Sequence, residues 1–214
     1  MKKILVFICC LMMVVCFAAC GETQEAVTET EPATDTQTTA ANPSFDPLAF
    51  DAQVLTQIFQ AESGLKLLFD EIDGMSDGFD ISEVAMQRSN EINQYGANLL
   101  EIECPADDIF AAEYINAAVR YIGYTGMGST YVGLKGLEST GYGISNPTTA
   151  ANFDAESLAN MQEIIDTEGH IEDLAISHQD LINSRMAFLM SCGAFSDLDE
   201  IGEYLNEYPY PAEY

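Results

Sequence analysis

IFAAEYINAAVRYIGYTGMGSTYVGLKGLE, residues 109–138, is the stretch on which the fold turns: it is either one long helix or two short ones with a loop between. Five glycines lie between Gly123 and Gly136, and each costs about 1 kcal/mol relative to alanine in a helix interior. Glycine also commonly punctuates a chain, so a loop or broken helix is the competing reading. Against it, Gly123, Gly126, Thr130 and Gly133 recur at three-and-four spacing. Such a stripe of small residues lets a second helix approach closely. Pro105, with Asp107 and Asp108 beside the positive end of the helix dipole, opens this element.

Outward from it the helical signals are plainer. Asp46-Pro47 supplies an N-cap followed by proline at the first helical position, and Phe45 and Phe50 are spaced to close a hydrophobic staple. Leu55, Ile58, Leu65, Phe69 and Ile72 then fall on one face, which predicts a helix over about 47 to 73. After the break Gly74–Gly78, Asp80 and Glu83 form a capping box with Phe79 and Val84 as its staple. Ile81, Val84, Ile92, Tyr95, Leu99 and Ile102 mark the second helix. Residues 141–152 read as a connection, and Asp154 caps a fourth helix that reaches about 191, with Gly169 as the point where it would break. EYLNEYPYPAEY at the end reads as a short helical turn and a proline-punctuated tail. The expected fold is all-α, an antiparallel up-and-down four-helix bundle.

That topology brings Cys104, between helices two and three, and Cys192, at the end of helix four, to one end of the bundle. They would form either one disulfide or two separate buried thiols. Polar residues interrupt the apolar stripes at Glu62, Arg88, His178 and Arg185. The stagger between Glu62 and Arg88 is about 4 to 5 Å, within reach of arginine, so these residues are expected to form interhelical ion pairs or to line a polar pocket.

Motifs for chemistry fail on inspection. A carboxylate-bridged di-iron bundle needs Glu-x-x-His pairs, and neither His170 nor His178 has a glutamate three residues before it. The two histidines lie about 12 Å apart along a straight helix, too far to share an ion. In DEIDGMSDGFDISE, placing Gly78 at the sixth position of a calcium loop puts Met75 at the third and Val84 at the twelfth, where ligands are required. GSTYVGLKG has its lysine one place late for a phosphate loop, and no serine sits in a Gly-x-Ser-x-Gly elbow. The expectation is therefore no metal, no cofactor and no catalytic residue.

The N-terminal MKKILVFICCLMMVVCFAAC puts two lysines before an apolar run that ends in small residues and a cysteine, the layout of a secretory signal. Phe17-Ala18-Ala19-Cys20 resembles the signal of bacterial lipoproteins cleaved by signal peptidase II, with phenylalanine where leucine is usual. The resemblance implies removal of residues 1–19, a diacylglycerol on the Cys20 sulfur with further acyl chains of the palmitate type, and an extracytoplasmic protein anchored to a bacterial membrane. Multiple chains make such attachment long-lived, at about 0.8 kcal/mol per buried methylene. Residues 21–44, with seven threonines, five acids, two prolines and no basic residue, read as a disordered spacer behind the lipidated cysteine. As a flexible coil it would span about 27 Å.

The remaining domain, residues 45–214, holds thirty acids against five basic residues, a net charge of −25. Nucleic acid is excluded as a partner, because phosphates require a basic footprint. The same field repels an anionic leaflet and leaves cationic partners open. The sequence thus leads to a noncatalytic, membrane-anchored module for an envelope protein or peptide partner. A small-ligand or cation-binding bundle is the alternative, and an enzyme with a site assembled from distant residues the third.

Overall fold

The structure, a computed structural model, describes residues 45–210. The signal, Cys20 and the spacer lie outside the described residues, as do the last four positions. Seven helices and no strand occur among the described residues: α1 Pro47–Ile72, α2 Gly78–Leu100, α3 Ile109–Ser139, α4 Pro147–Ala150, α5 Ala155–Asp166, α6 Ile171–Ser191 and α7 Leu198–Glu207. None of them is long and apolar enough to cross a membrane.

The glycine-rich stretch is one unbroken helix, and it is the centre of the assembly: α3 packs against α1, α2, α5 and α6. Its small residues face α2. Ser89 Oγ donates to Gly126 O at 3.0 Å and lies 2.8 Å from Thr130 Oγ1, while Ser129 Oγ donates to Ala85 O at 2.8 Å. At the far end a methyl group on Gly136 would meet Gly78 O at 2.8 Å, so the two backbones approach too closely for any side chain. Residue numbers rise along α2 as they fall along α3, so this pair runs in opposite directions. Close packing against α2 at Gly126, Gly133 and Gly136 offsets the intrinsic cost of those three glycines. The stripe differs from the expected one in a single member: a methyl on Gly123 would meet nothing, and Gly136 takes its place.

The buried face of α2 is Gly78, Ser82, Ala85, Met86, Ser89, Ile92, Gly96 and Leu99: it keeps Ile92 and Leu99 of the expected stripe but leaves Ile81, Val84 and Tyr95 only partly buried. The close contact with α3 selects small side chains, and hydrophobicity alone does not register serine as a packing residue. The cap also differs: Asp77, not Asp80, caps α2, with its carboxylate accepting from Phe79 N. The α1 cap is as expected. Asp46 accepts from Leu48 N and Ala49 N, Pro47 opens the helix, and the Phe45 and Phe50 rings lie 5.4 Å apart. Asp108 caps α3, and Pro105 sits in the turn before it.

The fourth expected helix is divided. Asp154 caps α5, and the chain then turns through Glu168, Gly169 and His170, all at positive φ, into α6. At this turn a methyl on Gly169 would lie 2.9 Å from Tyr131 Cβ and 3.0 Å from Gly128 Cα. Glycine is required both for the left-handed backbone and for the approach to α3. The break lets the two halves serve different cores. The larger core joins Phe50, Val54 and Ile58 to Tyr114, Ile122, Leu181 and Phe188. The smaller joins Met86 and Leu134 to Ile144, Met161 and Ile164.

Candidate functional site

Two polar centres lie where α1, α3 and α6 meet, and both are closed by the C-terminal segment. The first is a buried ion pair. Arg185 Nε donates to Asp51 Oδ1 at 2.9 Å and Arg185 Nη2 to Asp51 Oδ2 at 2.8 Å, with the Arg185 and Asp51 side chains 3% and 0% exposed. Nη2 also donates to Tyr208 O at 2.9 Å, and Tyr204 OH donates to Asp51 Oδ2 at 2.9 Å. The remaining guanidinium nitrogen, Nη1, is buried without a hydrogen-bond partner among the described groups. Burial opposes the charge on Arg185, yet the hydrogen bonds and field of Asp51 outweigh it and leave the guanidinium pKa raised. Burial, then the Asp51 charge, pushes the Tyr204 phenol well above its ordinary value, and the same two causes raise Tyr114.

The second centre is built on Glu62. Its Oε1 accepts from Tyr121 OH at 2.8 Å and from Tyr210 OH at 3.2 Å. The His178 ring lies 5.5 Å from the Tyr121 ring and 5.6 Å from the Tyr210 ring, and Phe59 lies 6.0 Å from Tyr210. Burial, followed by the neighbouring Tyr121 and Glu62, raises the Tyr210 phenol far above its usual range.

Of the residues expected to converge, Glu62 and His178 share the second centre and Arg185 belongs to the first. Arg88 goes elsewhere. It pairs with Glu71 through two nitrogens and with Glu91 through Nη1 at 2.6 Å, so it makes no bond to Glu62. The hydrogen bond from Arg88 holds the exposed Glu71 carboxyl below its ordinary pKa. The reason is rotation about the helix axis: Glu71 and Arg88 lie on the outer α1–α2 seam, whereas Glu62 faces α3. Arg88 instead stands at one side of an open groove of about 350 Å³ between α1 and α2, lined also by Thr56, Phe59, Gln60, Ser63, Leu67 and Tyr95.

Asp51 is the residue that pattern reading passed over. It lies four positions before Leu55 and seven before Ile58, squarely on the α1 stripe, and that placement was the available signal. Tyr204 and Tyr210 carried none, since no periodicity links a tail to a particular carboxylate. Cys104 and Cys192 are both half-buried free thiols, each pushed up in pKa first by burial and each within the field of Asp108, which places them at a common end. Among the described residues no group of three histidine, cysteine or acidic side chains could hold a metal ion. No protein-family model, curated protein or solved structure matches the chain.

Proposed function

We propose that this chain is a noncatalytic interaction module, anchored outside the cytoplasm through a lipid on Cys20, whose helices form an antiparallel four-helix bundle that holds an envelope protein or peptide. The observation that supports this reading is the α1–α2 groove. It combines the apolar and aromatic surfaces of Phe59, Leu67 and Tyr95 with the hydrogen-bonding groups of Thr56, Gln60 and Ser63, and Arg88 is held in a fixed orientation by two carboxylates. Leu67 is 46% exposed there, an apolar side chain without a covering element. Mixed surfaces of this kind suit a peptide or helix laid along the seam. The charge of the domain favours a segment that carries basic residues and discourages acidic competitors.

A photocrosslinking side chain placed at Ser63 and, as a control, at Glu172 on α6 tests the reading on intact cells. The groove position is expected to trap a discrete partner that the control does not, and Leu67→Gly, which removes the exposed apolar anchor, is expected to abolish the product. Identical products from both positions, or none from Ser63, Gln60 and Thr56 alike, would refute it. The anchor is tested separately: metabolic labelling with palmitate should be lost in Cys20→Ser, and labelling that persists would remove the lipid from the account.

A further inference from the structure

The second polar centre has the walls of a ligand site and an occupant drawn from the chain itself. Two rings on two elements, Phe59 on α1 and His178 on α6, pack against the Tyr210 ring, with Tyr121 on α3 behind His178, and the Glu62 carboxylate forms the floor that the Tyr210 and Tyr121 hydroxyls both touch. The floor is a carboxylate and the walls are aromatic rings. That combination suits a cation better than a phenol: a charged N–H donor makes about twice the hydrogen bond of a neutral one, and aromatic faces attract positive charge. The occupant is held at few points. Of α7 only Ile201 is fully buried, with Tyr204 and Leu205 partly buried against the larger core. The segment is joined to α6 through Gly193 at φ +71. Its polar attachments are the Tyr204 and Tyr208 contacts to the Asp51–Arg185 pair and the Tyr210 contact to Glu62.

We propose that the slot filled by Tyr210 is a binding site for an organic ammonium group, and that the segment from Leu198 to Tyr210 is its displaceable plug. An incoming ammonium would take the place of the Tyr210 hydroxyl on Glu62 and lie between the Phe59 and His178 rings. Segment 198–210 would swing out about the Gly193 turn while the Asp51–Arg185 pair keeps α1 and α6 together. The site shares the Phe59 side chain with the α1–α2 groove, but its test reads Glu62 and His178 and is independent of the crosslinking at Ser63.

The probes are benzylamine and its neutral counterpart benzyl alcohol. They are titrated into the intact domain in 0.3 M NaCl, which shortens the Debye length to about 6 Å and suppresses loose attraction to the −25 surface. Binding is read from the NMR signals of the His178 ring. Tyr210→Ala is expected to bind benzylamine at least tenfold more tightly than the unaltered chain and at least tenfold more tightly than it binds benzyl alcohol. Adding Glu62→Gln should erase that preference for the amine. If Tyr210→Ala does not fold, Tyr210→Phe, which keeps the ring and removes the bond to Glu62, is titrated in its place with the same preference expected. Equal affinity for the two probes, an undiminished preference after Glu62→Gln, or no binding by whichever Tyr210 variant is folded would overturn the proposal.

Discussion

Arg185→Met offers the sharpest test of how this fold is held together. In the native chain the guanidinium makes three hydrogen bonds to Asp51 and one to Tyr208 O, and both members of the pair are almost wholly out of water. Removing the arginine leaves a buried carboxylate with Tyr204 OH as its remaining side-chain donor, a change that costs about 3–5 kcal/mol. With a urea m-value of about 2 kcal/mol/M, the midpoint of unfolding should fall by about 2 M. The double variant Asp51→Val with Arg185→Met behaves differently, because no charge is then stranded. The unpartnered Nη1 already costs the native pair about 1–3 kcal/mol of uncompensated desolvation. The apolar pair should therefore return to within about 1 kcal/mol of the original stability. Far-UV circular dichroism against urea for the two single variants and the double supplies the cycle. A loss below about 1 kcal/mol for Arg185→Met, or a double variant as unstable as the sum of the singles, would show that the pair is not the buried, coupled unit its geometry describes.

Three further outcomes follow from other parts of the molecule. Gly123→Ala should raise stability by up to about 1 kcal/mol, since the new methyl meets nothing, whereas Gly136→Ala should destabilise by forcing the Gly78 carbonyl away; equal effects in thermal melts would contradict the α2–α3 register. Tyr114, Tyr204 and Tyr210 hold their protons more tightly folded than unfolded, so their contribution is fully present below the ordinary tyrosine pKa of about 10 and is lost as pH rises above it. Tyrosinate absorbance, taken as the difference between the native chain and Tyr114→Phe, should accordingly show Tyr114 ionising only together with loss of helical signal, and its ionisation near pH 10 with the fold intact would refute its burial. Asp108→Ala should cost about 1 kcal/mol through loss of the α3 cap, with Asp108→Asn close to neutral; an unchanged melting temperature for the alanine variant would remove the cap from the account.

Local rules carried much of the fold because helix starts are local chemistry. Asp46 with Pro47, Asp108 and Asp154 are caps whose hydrogen bonds reach only two or three residues along the chain, and they can be read without knowing the partner helices. The site was legible only in fragments. Glu62, His178 and Arg185 stand out as polar residues in apolar stripes, but which of them meet depends on helix rotation, and that is set by packing. Arg88 illustrates the point: it has the right height to reach Glu62 and the wrong azimuth, so it pairs with Glu71 and Glu91.

By itself the sequence determined the all-helical class, the helix starts at Asp46 and Asp154, the acidity of the domain and the small-residue character of α3, because each follows from neighbours within a turn or from composition. Tertiary structure alone decided that the glycines of α3 make a seam rather than a loop. It turned α2 to present serine and alanine, paired Asp51 with Arg185 across 134 positions, and laid Tyr204 and Tyr210 over two carboxylates. Those outcomes depend on close packing between elements distant in the chain, where the gain from contact outweighs local propensity. No periodicity along a single strand of sequence encodes them.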